Sequence, residues 1–193
     1  MIKTYKPKNR NVESATETKK PTKKKTKPSN QKRRPAKDRQ SKFFEKGKLR
    51  VTVVGGAEEV GRNMTMVEYD DEIMIIDLGL QFPEEDMPGI DYIIPNISYL
   101  EDKVDRVKGV VITHGHMDHI GGIPHIIGKI GNPPIYTGKL TAGLVKKRCE
   151  EHKSCPKLNI VEIDSKSVAR FGKNFRVEYL RVNHYITDSL AVI

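Results

Sequence analysis

The sequence places three histidines and one aspartate within six residues, directly after the apolar run 110–112; they are His114, His116, Asp118 and His119. Imidazole and carboxylate groups are ligands of zinc and related metals, and a mixed nitrogen and oxygen set suits a catalytic site with an open position. In an extended turn, His114 and His116 point to the same side. Asp118 and His119, at the entry to a helix, face a second position. We therefore predict a site for two metal ions, with Asp118 and His119 also taking part in catalysis.

Apolar patterns predict the elements that must position this motif. The predicted strands span residues 49–54, 65–69, 73–77, 109–112, 135–137, 158–163 and 175–182, and the predicted helices span 120–130 and 140–151, after a short helix near residue 100. The first three strands form a hairpin meander, and the fourth delivers the metal motif. In the helix 120–130, isoleucines at helical spacing predict a core-facing stripe, with His125 on the surface.

Two further polar residues stand at the ends of predicted strands. His184 follows the strand 175–182, as His114 follows its own strand, and side chains from different strand ends form a site on a rigid sheet. Asp77 ends the third strand, where a carboxylate can orient a metal-bound histidine. A turn-capping role is the alternative for Asp77.

The glycine-rich segment 55–63 is not a nucleotide-binding loop. A Walker loop needs Gly-Lys-Ser/Thr, a dinucleotide fingerprint needs Gly-x-Gly-x-x-Gly, and both lead into a helix. In this sequence a strand follows the glycines, so nucleotide binding is not expected.

Charge divides the chain into two parts. Residues 1–50 hold 19 Lys and Arg against 4 Asp and Glu, whereas the rest of the chain holds 16 against 21. Residues 1–47 contain almost no aliphatic side chain, so we predict a disordered arm that attracts RNA or DNA phosphates. Its basic runs are Lys23, Lys24 and Lys25, and Lys32, Arg33 and Arg34. A solvated tail is the alternative.

The two cysteines, Cys149 and Cys155, are six residues apart and form no Cys-x-x-Cys pair. This usage suits a reducing cytosol and argues against a disulfide framework. A small Cys/His metal site with His152 is a further alternative. The sequence has neither a membrane-span pattern nor a signal-peptide pattern, so we expect a cytoplasmic protein with no membrane partner.

The motif at His114, His116, Asp118 and His119 resembles the signature of the metallo-β-lactamase superfamily, and neighbouring blocks resemble its β-CASP ribonuclease J family. The blocks lie at residues 55–56, 59–64, 76–79, 82–87, 89–92, 113–122 and 182–184. The resemblance covers nearly all of residues 49–193 and none of the basic arm.

The resemblance implies an α+β, four-layer αββα sandwich, of which residues 48–193 are the first half. It also implies 5′-to-3′ exonucleolytic and endonucleolytic hydrolysis of RNA by two zinc ions, with manganese as an alternative, in RNA processing and decay. It assigns His114, His116 and His184 to one metal, Asp118 and His119 to the other, and Asp77 to their support. It implies homo-oligomers of the full-length protein.

Two departures from the family pattern shape the expectations. The family usually has Ser and Pro where this chain has Tyr185 and Thr187, so Tyr185 is expected to reshape the pocket floor. The family's metal-bridging Asp, later ligand His, β-CASP domain and C-terminal part would lie beyond Ile193. We therefore expect the front piece of such an enzyme, nearly inactive alone. The alternatives are a thioester or lactam hydrolase of the same fold, and a non-catalytic RNA-binding protein acting through the arm.

Overall fold

The computed structural model describes residues 46–193; the predicted arm, with Lys23, Lys24, Lys25, Lys32, Arg33 and Arg34, lies outside them apart from its last two residues. The strands are β1 Leu49–Gly55, β2 Met64–Tyr69, β3 Glu72–Ile76, β4 Val107–Val111, β5 Ile135–Thr137, β6 Ile160–Glu162, β7 Val168–Phe171, β8 Phe175–Arg181 and β9 Leu190–Val192. The α-helices are α1 Met117–Ile120, α2 Ile123–Ile126 and α3 Lys139–Glu150, with 3-10 turns at Ser98–Leu100 and Val104–Arg106. Within this part of the chain, no helix is both long and apolar enough to cross a membrane.

The strands form two sheets. In the six-stranded sheet, neighbours follow the chain from β1 to β6, and the predicted meander β1–β2–β3 is antiparallel. From β3 onward the pairing is parallel, so β3, β4 and β5 send their carboxyl ends to the same edge. The smaller sheet is antiparallel in the order β7-β8-β9. The sequence predicted β8 but not β7 and β9, since four-residue and three-residue strands carry little periodicity.

Two clusters of buried apolar side chains hold the helices and the two sheets together. The first lies between the helices and the large sheet, and it includes the predicted stripe of Ile123, Ile126, Ile127 and Ile130, each at most 1% exposed. The second lies between the two sheets, where the Phe171 ring packs 4.5 Å from that of Tyr136. The described residues thus form three successive layers, helices, sheet and sheet, which is an α+β arrangement.

The predicted single helix 120–130 was wrong. The chain instead forms two short helices, α1 and α2, separated by Gly121 and Gly122. A β-carbon at Gly122 would overlap the carbonyl oxygen of Gly79, so this junction lies directly against the backbone after β3. The close approach brings α1, and the metal motif with it, onto the end of the sheet.

His125 is half-buried rather than on the surface as predicted. Its ring stacks on Tyr92 at 4.3 Å and contacts the edge of His152 at 4.9 Å. The hydroxyl of Tyr92 lies 3.2 Å from Nδ1 of His125. The periodicity placed His125 off the apolar stripe but could not reveal this aromatic contact from outside the helix.

The cysteine usage argued against a disulfide framework, but Cys149 and Cys155 are joined in one disulfide. The Cys149 carbonyl accepts the His152 N–H at 3.0 Å, and the His152 carbonyl accepts the Cys155 N–H at 3.0 Å. These two turns after α3 bring the cysteine α-carbons to 5.5 Å, within the range that a disulfide spans. Both thiols are used, so the alternative Cys/His metal site loses its sulfur ligands.

Candidate metal centre

Three histidines from two separate segments converge at one point. His114 follows β4, His116 precedes α1, and His184 lies in the loop between β8 and β9. Nδ1 of His116 lies 3.1 Å from Nε2 of His114 and 3.2 Å from Nε2 of His184. Zinc–nitrogen bonds of about 2.1 Å at tetrahedral angles place two ligand nitrogens about 3.4 Å apart. The three imidazoles therefore fit a shared transition-metal ion.

Asp118 and His119 form a second group beside the first. Both lie in the first turn of α1, and Oδ2 of Asp118 is 3.3 Å from Nε2 of His119. The ring of His119 is 4.0 Å from that of His114, centroid to centroid. A carboxylate oxygen and an imidazole nitrogen thus lie next to the histidine trio.

Asp77 lies behind these ligands and is buried. Its Oδ2 is 2.7 Å from Nδ1 of His119, and its Oδ1 accepts the backbone N–H of Thr113 at 2.8 Å. The Thr113 hydroxyl also donates to Asp77 at 2.9 Å and lies 3.0 Å from Nδ1 of His114. The Asp77 carboxylate therefore holds a proton on Nδ1 of His119, which leaves Nε2 with its lone pair toward Asp118.

The electrostatics of the two central histidines differ. Burial, together with the neighbouring imidazoles of His119, His184 and His116, lowers the pKa of His114 to about 4. Burial also lowers the pKa of His119, but the hydrogen bond and charge of Asp77 outweigh it, and the net pKa is raised. His114 is consequently neutral at pH 7 and ready to bind a metal. His119 binds a proton more tightly, so protons compete with a metal there.

Asn63 is a site residue that sequence reasoning missed. Its side-chain Nδ2 donates to the Asp118 carbonyl at 3.1 Å and to Oδ2 of Asp118 at 3.0 Å. The same atom lies 3.3 Å from Nε2 of His119. Asn63 ends the glycine-rich segment 55–63, whose Glu59 and Arg62 pair at 2.7 Å. The segment 55–63 thus contacts Asp118 through Asn63, and only the fold brings these residues together.

The loop between β8 and β9 differs from expectation at one residue. Tyr185 was predicted to reshape the pocket floor, but its side chain is fully exposed. Asp188 of the same loop contacts the start of α3 through both carboxylate oxygens. The loop therefore places the exposed His184 side chain next to His116, leaves Tyr185 in solvent and directs Asp188 toward the helix.

Comparison with known proteins agrees with this geometry. The family model of the metallo-beta-lactamase superfamily matches residues 57–147. The metallo-beta-lactamase fold protein YhfI from Bacillus subtilis superimposes with a TM-score of 0.50 at 18% identity, over 75% of this chain and 57% of that one. The fold and the histidine-rich site thus define a metallo-β-lactamase superfamily domain.

Within this superfamily, the most informative sequence relatives are proteins named ribonuclease J. Ribonuclease J 1 of Streptococcus pyogenes is 44% identical over 74% of this chain and 25% of its own length. Ribonuclease J of Mycoplasma pneumoniae is 43% identical over 79% of this chain and 26% of its own length. The chain belongs to the ribonuclease J family, and it spans about a quarter of the length of these relatives.

Proposed function

We propose that this chain supplies the metal centre of a ribonuclease that hydrolyses RNA phosphodiester bonds in RNA processing and decay, by 5′-to-3′ exonucleolytic and endonucleolytic cleavage. The observation that carries the proposal is the convergence of His114, His116 and His184 beside Asp118 and His119. Two adjacent positions with nitrogen and oxygen donors suit hydrolysis of a phosphodiester. The similarity to proteins named ribonuclease J supports RNA as the substrate.

Each residue has a role in this proposal. His114 and His184 would hold the first metal through Nε2 and His116 through Nδ1, since these three nitrogens face each other. Asp118 and His119 would hold the second metal, and Asp118 would also orient the attacking water. When bound, the metals would supply a water that is acidic enough to attack near neutral pH and positive charge for the phosphate. Zinc is the expected metal for an imidazole-rich set, and manganese is the alternative.

Asp77, Thr113 and Asn63 support these ligands without binding the metal. Asp77 accepts the Nδ1 proton of His119, and the Thr113 hydroxyl oxygen accepts the Nδ1 proton of His114. In both rings the Nε2 atom is then left without a proton and can bind a metal. Asn63 holds the Asp118 carboxylate by donating to its oxygen. Hydrogen bonds of this kind commonly contribute about 10- to 100-fold to metal affinity or activity.

We further propose that the chain alone is nearly inactive. Within residues 46–193, the second position has two candidate donors, Asp118 and His119, where a catalytic site normally takes at least three protein ligands. The second metal should therefore bind more weakly than the first. The complete protein is proposed to act as a homo-oligomer.

A substrate panel tests the proposed function. The metal-loaded chain is incubated in excess over 5′-phosphorylated RNA, DNA of the same sequence, a thioester and a β-lactam. We expect slow cleavage of RNA that stops with a chelator or with His116→Ala. His125→Ala, an imidazole outside the site, is the matched control and should retain the rate.

Two results would contradict this function. Hydrolysis of the thioester or lactam with RNA left intact would assign another substrate to the same fold. RNA cleavage by His116→Ala at the wild-type rate would show that the candidate metal centre does not carry out the reaction. Rapid, multiple-turnover RNA cleavage by the 193-residue chain would contradict only the proposed near-inactivity.

The basic arm is proposed to attract RNA without sequence preference. Residues 1–50 carry a net charge of +15, from 19 basic and 4 acidic side chains. Removing residues 1–45 should weaken RNA binding and flatten its dependence on salt, because fewer counterions are released. RNA affinity unchanged by this deletion would contradict the role.

The proposal places the protein in the cytoplasm. Disulfides are rare in that compartment, and the structure joins Cys149 and Cys155. Alkylation of both thiols in fresh cell extracts is the expected result for a cytoplasmic protein. A pair that resists alkylation until a reductant is added would argue for an oxidising compartment.

A further inference from the structure

The loop that carries His184 is the most exposed part of the candidate metal centre. Residues 182–185 are all exposed, whereas His114 is 8% exposed and lies at the end of a central strand. A histidine on an exposed loop does not keep its position by packing. Other contacts must hold Nε2 of His184 at 3.2 Å from Nδ1 of His116.

The two ends of the loop are joined to each other and to the sheet. The Val182 N–H donates to the Ser189 carbonyl at 3.1 Å, and the Leu190 N–H donates to the Thr113 carbonyl at 3.0 Å. The second bond fixes the start of β9 next to His114. These contacts set where the loop begins and ends, but they do not fix its middle against the rest of the site.

Asp188 supplies a polar attachment of the loop, at the N-terminus of α3. Ile186 of the same loop adds an apolar one, since its Cδ1 lies 3.3 Å from the place that a β-carbon on Gly115 would take. Its Oδ2 accepts the Leu140 N–H at 2.7 Å, and its Oδ1 accepts the Thr141 hydroxyl at 3.0 Å. The first N–H groups of a helix have no partner within the helix, so the carboxylate caps them from outside. Negative charge at this end is further favoured by the helix dipole.

The local backbone is shaped for this contact. Asp188 has a φ of 62°, in the left-handed region that few residues other than Gly, Asn and Asp adopt. Gly138, just before α3, has no space for a side chain, because a β-carbon would overlap the Asp188 carboxylate. Thr141 of the same helix turn also lies 3.5 Å from the place that a β-carbon on Gly115 would take. The helix end thus contacts both Asp188 and the segment between His114 and His116.

We propose that Asp188 is a positioning residue for the metal ligand His184. By capping α3, Asp188 fixes the exposed loop to this helix. The same helix packs against the His114–His116 segment, so all three imidazoles are positioned relative to α3. The inference rests on the proposed metal centre, and it assigns to Asp188 a role in metal affinity rather than in the chemical step.

A metal-binding cycle tests this role in the full chain. Co²⁺ affinity and the visible absorption of bound Co²⁺, which reports ligand number, are measured for wild type, Asp188→Ala, His184→Ala and the double variant. We expect Asp188→Ala to weaken Co²⁺ binding by about 10- to 100-fold, the range for residues that orient a ligand. In the His184→Ala background, Asp188→Ala should have no further effect, because the ligand that it positions is gone.

Two further variants separate positioning from general stability. Asp188→Asn tolerates the same backbone and keeps an acceptor, so its Co²⁺ affinity should lie within about threefold of wild type. Asp164→Ala is the matched control. Asp164 also accepts a backbone N–H, that of Lys166 at 3.0 Å, and it bonds the Ser167 hydroxyl at 2.7 Å, but it contacts neither α3 nor the His184 loop in these bonds. It should leave Co²⁺ affinity unchanged.

The outcomes are distinguishable. If Asp188→Ala weakens Co²⁺ binding equally with and without His184, its role is general structure and the proposal is wrong. If His184→Ala weakens binding but Asp188→Ala does not, the proposal is wrong while the metal centre stands. If His184→Ala itself has no effect, the assignment of His184 to the metal fails, and the positioning role fails with it.

Discussion

Replacing Asp77 by Asn tests how the second metal position is prepared. The carboxylate accepts the Thr113 N–H through Oδ1 and lies 2.7 Å from Nδ1 of His119 through Oδ2. Asn has the same shape and tolerates the positive φ of 63° at this position. Its oxygen retains the bond to Thr113, so its NH₂ group faces Nδ1 of His119. The substitution therefore changes a proton position without removing a side chain.

The expected loss follows from that proton. An NH₂ group can only donate to Nδ1, so the imidazole proton moves to Nε2, the atom that lies 3.3 Å from Asp118 and would bind a metal. A hydrogen bond to a charged group contributes about 1.5–3 kcal/mol. Since about 1.4 kcal/mol is a tenfold change in affinity, Asp77→Asn should weaken the second metal by about 10- to 100-fold.

Two measurements check this expectation. Nitrogen NMR of the imidazoles without metal should show His119 protonated on Nδ1 in wild type and on Nε2 in Asp77→Asn. Competition titration with a chelator should show weaker binding of the second metal equivalent and a nearly unchanged first one. Asp71→Asn, at an exposed turn, is the control. An unchanged tautomer, or a second-metal affinity within twofold of wild type, would refute the reasoning.

Three further substitutions address the site and its framework. Asn63→Ala removes the donor to Asp118 and should weaken the second metal by about tenfold in the same titration; an unchanged affinity would show that Asp118 needs no such donor. Phe171→Ala empties the space between the two sheets and should lower the free energy of unfolding by about 3–5 kcal/mol in urea; a loss below about 1 kcal/mol would mean that the sheets collapse onto each other. Burial raises the pKa of Glu72, but backbone N–H donors of residues 173 and 174 outweigh it, and the net pKa lies below its usual 4.5. The stabilisation from the ionised Glu72 is present above that value and is lost as pH falls through the folded pKa. The melting temperature of wild type should therefore exceed that of Glu72→Gln at pH 7, and the two melting temperatures should become equal in acid. A difference in melting temperature that does not change with pH would contradict this sign.

The positions of the candidate ligands were predictable from sequence because most of these residues are local. His114, His116, Asp118 and His119 lie in one short segment, so their spacing alone indicated two adjacent metal positions. His184 needed only the observation that it follows a strand. The predictions agree with where the structure places these side chains, while their binding of metal stays a proposal.

The supporting residues were not predictable in the same way. Asn63 contacts Asp118 across 55 residues, and Asp188 contacts Thr141 across 47. No periodicity relates such pairs, since only the packing of separate elements brings them together. The disulfide of Cys149 and Cys155 was missed for a related reason, because two consecutive turns after α3 set its geometry and spacing alone did not indicate them.

Two aspartates hold the candidate centre through the same local geometry. Asp77 has a φ of 63° and Asp188 a φ of 62°, and each accepts both the backbone N–H and the hydroxyl of a threonine, Thr113 and Thr141 respectively. The left-handed backbone folds each carboxylate back onto a neighbouring element, at a cost that the hydrogen bonds offset. The two aspartates differ in their remaining hydrogen bonds. Asp77 also bonds the His119 imidazole, whereas within residues 46–193 no hydrogen bond joins Asp188 to a histidine.

Replacing Asp by Asn should therefore affect metal binding differently at the two positions. Asp77→Asn moves the imidazole proton of His119 from Nδ1 to Nε2. Asp188→Asn instead keeps an acceptor for the helix N–H, and its NH₂ group can donate to the Thr141 hydroxyl, which accepted no bond from Asp188 before. The charge that it loses at the helix end is worth about 0.3–1 kcal/mol. We expect Asp77→Asn to impair metal binding and Asp188→Asn to leave it nearly intact, measured side by side by chelator competition. If both variants bind normally, Asp77 does not act through the tautomer of His119. If both are impaired equally, negative charge rather than hydrogen-bond geometry holds the centre together.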